Sequence, residues 1–343
     1  MERTDGVETF VGIDAHSKHC SIKAISRQGE DLLCRDVPTR PSALRKALSK
    51  LPGPVWVMVE SSYLASYLQE HLEGAVDRLI VCETRENRWI SRSENKGDQL
   101  DADRLCRLLR MGEFKAVHVP AGLCRDRREA LRLYQKSQGD VSRTKNRIKV
   151  KYREHGVLLT GKAVYSESHR DQHLGLLERP QARFLVEVLY RKLVADEAAR
   201  DELLSRLVTL MRGSREYTAL KTIPGVGKVL AAVITAVIDD PDRFANKRKL
   251  WSYSALGVRS RWSSDPSKAR VSGQKGGNRL LKYAALSAAN AALRGENRFS
   301  RHYRKMIAAG SDPAMAKRTV ARKILATALV LMKTGAAYED DQV

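Results

Sequence analysis

Three strand-like runs succeed one another at the start of this chain before any helix intervenes, and that order limits the folds open to it. "TFVGIDAH" is apolar up to Asp14, "CSIKAIS" alternates, and "DLLCRDVP" follows a "RQGE" turn. Strands and helices then take turns. "SALRKALSKL" has helical spacing and "VWVMVES" is a buried strand. "YLASYLQEHL" is helical, "RLIVCE" is again a buried strand, and "DQLDADRLCRLLRMG" is a helix stopped by Gly112. A meander of three strands followed by two strand-helix alternations predicts a mixed sheet. Its first strand lies beside the strand that ends at Glu60.

Four acids stand where such a sheet would gather them. Asp14 ends the first strand and Glu60 ends "VWVMVE". Asp98 and Asp101 open a helix three residues apart, about 60° around its axis and so on one face. Asp103 falls on another face. A carboxylate is a poor strand residue and costly to bury, and converging carboxylates repel unless a cation lies between them. Hard oxygen ligands suit Mg²⁺ or Mn²⁺, and such ions assist phosphoryl transfer. Acids at a helix start are also favoured by its dipole, which accounts for Asp98 or Asp101 singly but not for Asp14 and Glu60. His16 and His19 flank the turn after Asp14 and read as solvent-exposed before they read as ligands, and Lys18 reads as solvated before it reads as a contact to a scissile phosphate. The strand and helix order is that of a ribonuclease-H-like sheet.

Charge divides the chain. Residues 1–119 carry 18 basic and 18 acidic side chains, whereas residues 120–343 carry 44 and 22, so the whole net charge of +22 lies in the second part. That part is expected to meet a polyanion, with nucleic acid the first candidate. No apolar run approaches the roughly 18 residues needed to span a bilayer, so no membrane partner is expected. The opening "MERTDGVE" does not read as an export signal, and five scattered cysteines without CxxC spacing argue for reduced thiols. From about residue 123 the pattern turns helical and basic, with eight Lys or Arg between Arg132 and Arg153, among them Arg143, Lys145, Arg147, Lys149 and Lys151. A second long helix is expected from about Gln181 to Met211. Asp196 and Arg200 interrupt its apolar seam, which leaves a helical hairpin and a self-associating coil both open.

Two further stretches bear on phosphate. "IPGVGK" puts Gly225, Gly227 and Lys228 just ahead of a helix, where exposed N–H groups can hold a phosphate; a plain turn fits as well. "RWSSDPSKARVSGQKGGNR" surrounds Ser263, Ser264, Ser267 and Ser272 with Lys268, Arg270, Lys275 and Arg279. Its composition is that of an exposed phosphate-binding loop, and no histidine in it would activate a serine. Trp262 and Tyr253 could stack on bases or pack in the core.

"GIDAHSK", "VMVES" and "NKGDQLDADRL" together resemble the signature of the DEDD transposases of bacterial insertion sequences, the "IS one-ten" family. Lys96, Asp98, Asp101 and Ala102 form a complete K-x-D-x-x-D-A element. "TKNRIKVKYREHGV", "IPGVG" and "ARKIL" are similar to the family's linker and C-terminal domain. The resemblance implies an α/β plus all-α chain in three parts. Residues 7–120 would form a RuvC-like DEDD catalytic domain, residues 121–215 a basic helical or coiled-coil linker, and residues 216–336 a mostly helical transposase domain with a helix-hairpin-helix-like element and a serine loop. It implies a transposase that cleaves and rejoins DNA, with Asp14, Glu60, Asp98 and Asp101 on Mg²⁺ or Mn²⁺. A C-terminal serine would be the nucleophile, Ser264 before Ser263, with Ser267 weaker; "Ser-Ser-Asp-Pro" replaces the family's usual Ser-Gly step. It further implies donor and target DNA, a structured noncoding guide RNA, a homodimer or homotetramer, and a cytoplasmic, nucleoid-associated protein. The competing reading is a metal-dependent, structure-specific endonuclease that cuts by hydrolysis through the four acids alone.

Overall fold

The computed structural model describes residues 4–83, 97–261, 270–274 and 276–340, with the backbone alone at 259–261 and 270–272. It divides into two compact units, Met1–Arg125 and Asp126–Val343.

In the first unit, β1 (Thr9–Ala15), β2 (His19–Ser26) and β3 (Asp31–Pro38) form an antiparallel meander. Helix α1 (Pro41–Leu48) leads to β4 (Val55–Glu60), and α2 (Ala65–Leu72) leads to β5 (Arg78–Cys82). Strands β4 and β5 join parallel to β1 in the order β3-β2-β1-β4-β5. This is a mixed, ribonuclease-H-like sheet, as the sequence order predicts. The period of two explains why its inner strands read as unbroken apolar runs. Val11, Ile13, Val57, Val59 and Val81 face α1 and α2 through Leu44, Leu48, Leu68 and Leu72. Phe10, Met58, Ile80 and Cys82 face the opposite side, where Leu105, Cys106 and Leu109 of α3 (Asp98–Met111) cover them. Helix α3 ends where Gly112 turns left-handed at φ 68°.

In the second unit, α4 (Gly122–Glu154), which starts four residues before the unit boundary, runs against α6 (Pro180–Leu210) as a helical hairpin; the short α5 (Arg170–Gly175) lies between them in the chain. Within the chain the seam is used as a hairpin. Val141, Ile148 and Tyr152 pack with Val186, Tyr190 and Leu193. The interruption at Asp196 has a partner: Thr144 Oγ1 donates to its carboxylate at 2.6 Å. Arg200 bonds the neighbouring Asp201.

The remainder of the unit is a helical core. Helices α7 (Arg215–Leu220), α8 (Lys228–Ile238) and α9 (Lys247–Tyr253) are followed by α10 (Arg279–Ala292), α11 (Arg298–Ala308) and α12 (Pro313–Thr334). Small side chains on α10, from Ala284 to Ala292, let its neighbours approach. One element departs from the sequence reading. Residues expected to lie in an exposed loop form β7 (Arg270–Gly273), paired antiparallel with β6 (Val258–Arg261). Each strand has four residues, only one of them β-branched, so neither carries a periodic signal; the pairing comes from their ladder with each other. No described helix is long and apolar enough to cross a membrane.

Candidate active site

The carboxylate corner is assembled by a glycine. A side chain on Gly12 would put its Cβ 2.0 Å from the carbonyl oxygen of Ala102 and 2.6 Å from the backbone nitrogen of Cys106. Only a residue without a Cβ lets α3 lie this close to β1. Cys106 seals the contact by donating its thiol hydrogen to the Phe10 carbonyl at 3.0 Å. The approach brings the first turn of α3, with Asp98 and Asp101, to the end of β1.

Asp14 shares the face of Gly12 because strand residues two apart point the same way. The parallel register pairs Ile13 with Val59, so Glu60 stands beside Asp14 at the end of the adjoining strand, on that same face. The structure thus gathers Asp14, Asp98 and Asp101 around one corner and puts Glu60 at its edge. Ligand atoms of Asp14, Asp98 and His16 all lie within 4.8 Å of one another, and Glu60 is not in that tight group. His16 Nε2 lies 3.1 Å from Asp14 Oδ2 and 3.5 Å from Asp98 Oδ1, while His19 Nε2 lies 3.1 Å from Asp98 Oδ2. The two imidazoles stack at 5.4 Å, held by a turn in which the His16 N–H donates to the His19 carbonyl.

Burial pushes the Asp14 carboxyl above its ordinary value; His16 pulls it back down, and Asp101 and Asp98 push it up again. The Asp14 side chain is 14% exposed and that of Asp98 47%, so one carboxylate is rooted in the sheet while the other opens to solvent. Asp101 accepts from Arg104 at 2.8 Å, and Asp103 turns away to Arg107. The histidines are largely exposed, as the sequence reading has it, with side chains 45% and 46% accessible, and they still reach the two carboxylates. Their signal was the spacing His-x-x-His across a hairpin that closes beside Asp14.

The other expected residues scatter more widely. Among the basic residues of α4, Arg143 bonds Asp140, Lys145 pairs with Glu197 at 2.7 Å and Lys151 pairs with Glu154 at 2.7 Å. Lys149 lies over the Tyr165 ring, and Arg147 is exposed on the same helix. Gly225, at φ 84°, serves packing: a Cβ there would meet the Ala288 carbonyl at 2.2 Å. Gly227 and Lys228 remain open at the start of α8. Tyr253 packs on Phe244 at 5.3 Å. Arg279 is exposed on the first turn of α10. Lys96, Trp262, Ser263, Ser264, Ser267, Lys268 and Lys275 lie outside the described residues, and Arg270 is described by its backbone alone.

A ribonuclease-H-like sheet with acids converging at the end of its first strand, in a chain that continues into a helical unit, has the architecture of a DEDD-type transposase. Residues 11–153 match the transposase family model of that type built on IS110 elements. Residues 217–304 match a second model, described as Transposase IS116/IS110/IS902 family. The Insertion element IS110 uncharacterized 43.6 kDa protein of Streptomyces coelicolor is 27% identical over 155 residues, covering 45% of this chain. That match spans 38% of the relative's own length. The chain belongs to the IS110 family of transposases.

Proposed function

We propose that the protein moves an insertion sequence by cutting and rejoining DNA strands, with Asp14, Glu60, Asp98 and Asp101 as the acids and Ser264, or its neighbour Ser263, as nucleophile. The observation that carries the acid half of this reading is the Asp14–Asp98–His16 group, whose ligand atoms lie within 4.8 Å of one another. Ligands about 2.1 Å from one ion stand at most about 4.2 Å apart, so a contraction of some tenths of an ångström would close the group on a Mg²⁺ or Mn²⁺ ion. Asp14 and Asp98 would hold it, His16 would supply a third donor, and Asp101 and Glu60 would complete the shell. A bound divalent ion would polarise a phosphoryl oxygen and neutralise charge on the transferring phosphate.

The chain's own groups do the rest. Asp14, anchored in the strand, fixes the corner. His16 and His19 keep Asp98 turned toward it. Attack by the serine oxygen on phosphorus forms a Ser–O–P bond and breaks the bond to the leaving sugar oxygen, which receives the serine's proton overall. A hydroxyl of the incoming strand reverses these steps, so no external energy source is needed. Donor and target DNA, a structured noncoding guide RNA and a homodimer or homotetramer complete the proposal. So do the parts 7–120, 121–215 and 216–336 and a cytoplasmic, nucleoid-associated site of action.

The test is a suicide DNA substrate whose cut strand cannot be religated, followed by mass spectrometry of the protein. An adduct on Ser263 or Ser264 that disappears in Asp14→Asn is expected. Metal-dependent cutting without any adduct would overturn the serine step and favour the hydrolytic endonuclease.

A further inference from the structure

We propose a phosphodiester-binding cleft in the second unit, formed by Arg279, Lys282, Arg318 and Arg322. These side chains line a cavity of about 660 Å³ whose wall includes Val258 and Gly273. Those two residues are the rung of the β6–β7 ribbon furthest from segment 262–269. Arg279 and Lys282 come from one face of the first turn of α10. Arg318 and Arg322 are four residues apart on α12 and therefore point the same way. A Cβ on Gly273 would stand 3.8 Å from a guanidinium nitrogen of Arg318, so Arg318 lies directly beside the ribbon.

Among the described residues, the charge in this cleft has no counter-charge: none of the four cations has a carboxylate within ion-pair distance. Arg322 Nε is buried without a hydrogen-bond partner. Burial lowers the Arg322 guanidinium from its ordinary value, and Arg318 lowers it further. Like charges gathered beside a buried, unpaired donor are unfavourable in the free protein, and a bound anion reverses that sign. Three guanidiniums and an ammonium exceed what one carboxylate ligand requires. Guanidinium forks match phosphate oxygens bidentately, and the cavity has the size of sites that take nucleotide-sized ligands. The ligand class is a DNA strand, held by its backbone. The cleft rests on the strand-transfer reading for its purpose: a strand bound here lies along the ribbon whose connecting segment contains Ser263 and Ser264. Arg318 and Arg322 are then positioning residues.

The test uses the full chain and a fluorescently labelled single-stranded DNA oligonucleotide, with binding followed by anisotropy across a salt series. Each phosphate contact to a single strand adds about 0.7 to the slope of log affinity against log salt. In Lys282→Ala/Arg318→Ala the slope should become shallower by about 1.4 and the affinity fall about tenfold or more. Arg318→Lys, which keeps the charge, should restore most of the slope, a rescue that a purely structural role would not produce. Arg318 donates to the sulfur of the exposed Met315 at 4.0 Å, a contact whose loss leaves no buried group unpaired, and thermal melts verify that the double variant folds. Unchanged slope and affinity in the double variant would overturn the cleft. So would a loss confined to an RNA oligonucleotide of the same sequence. If wild type forms no serine adduct yet the slope change persists, the strand-transfer reading fails and the cleft stands.

Discussion

The carboxylate corner of the first unit and the cationic cleft of the second are opposite solutions to one electrostatic problem. Each gathers like charges that folding alone would keep apart. The corner is partly answered from within: His16 and His19 reach Asp14 and Asp98, and Arg104 holds Asp101. The cleft has no such relief among its described neighbours, and Arg322 keeps a buried nitrogen without a partner. A corner whose acids already have weak local partners can fold empty and still take a small, hard cation. A cleft without counter-charge among the described residues calls for a larger, polyanionic ligand. The same contrast recurs inside the second unit, where Arg143, Lys145 and Lys151 of α4 each have an acid beside them.

The largest effect should come from breaking the corner's scaffold. Gly12→Val would drive side-chain atoms into the Ala102 carbonyl and the Cys106 nitrogen, contacts that backbone cannot yield cheaply. Overpacking at such a site costs about 3 kcal/mol or more. The expected result is loss of cooperative unfolding of the first unit in urea, or a large fall in its midpoint. A midpoint near wild type would mean that α3 does not need this approach and that the gathering of Asp98 and Asp101 has another cause.

Next comes the ion itself. At a Mn²⁺ concentration about 100 times its dissociation constant, wild type should gain about 2.7 kcal/mol in stability, and Asp14→Asn should gain almost none. Without metal the variant should melt above wild type at neutral pH. The sign follows from the raised Asp14 carboxyl: the folded state binds its proton more tightly than the unfolded chain does. Its contribution is therefore harmless below the ordinary value of 3.8 and becomes unfavourable as pH rises through the folded value. Equal melting temperatures at acidic pH and divergence toward neutrality would sharpen the comparison with the cleft.

What the sequence made legible follows the physics of each region. The sheet could be read because its inner strands are buried on both faces and its order of elements admits few topologies. The meeting of Asp14 with Asp98 and Asp101 could be expected because an acid at a strand end is locally anomalous and acids three apart at a helix start share one face. The contact of His16 with Asp98 was not legible, since α3 arrives from more than 80 residues away in the sequence. The cleft was hidden for a similar reason. Arg318 and Arg322 look like an ordinary solvated helix face in "AKRTVARKIL"; only the fold brings them together with Arg279 and Lys282. In α4 a run of cations is conspicuous in sequence, while Glu197, which pairs with Lys145, sits on another helix and is not.

A smaller effect tests the hairpin seam. Asp196 accepts from Thr144 and Lys192; burial raises its carboxyl, but these two bonds outweigh it and hold the carboxyl below its ordinary value. Its stabilisation is present above 3.8, the ordinary carboxylate value, and is lost as pH falls through the lower folded value. Asp196→Ala should cost about 1 kcal/mol at neutral pH and leave the acid limb of the melting curve shallower. An unchanged acid limb would place the pH dependence elsewhere.

The smallest expected effect is the one that decides whether charge count or charge pairing governs nucleic-acid binding. Arg143→Ala/Lys151→Ala removes two cations, the same number as Lys282→Ala/Arg318→Ala, and each sits on the exposed face of α4 beside an acid of its own. Counting alone predicts equal losses. Pairing predicts less, because a cation bonded to Asp140 or Glu154 must surrender that partner before it neutralises a phosphate, and the orphaned acid then repels the strand. The salt slope for single-stranded DNA should therefore change by well under 1 for the α4 pair, against about 1.4 for the cleft pair. Equal changes would make the second unit a diffuse basic surface. A larger change for α4 would move the principal strand contact onto the hairpin and reverse the ranking of the two regions.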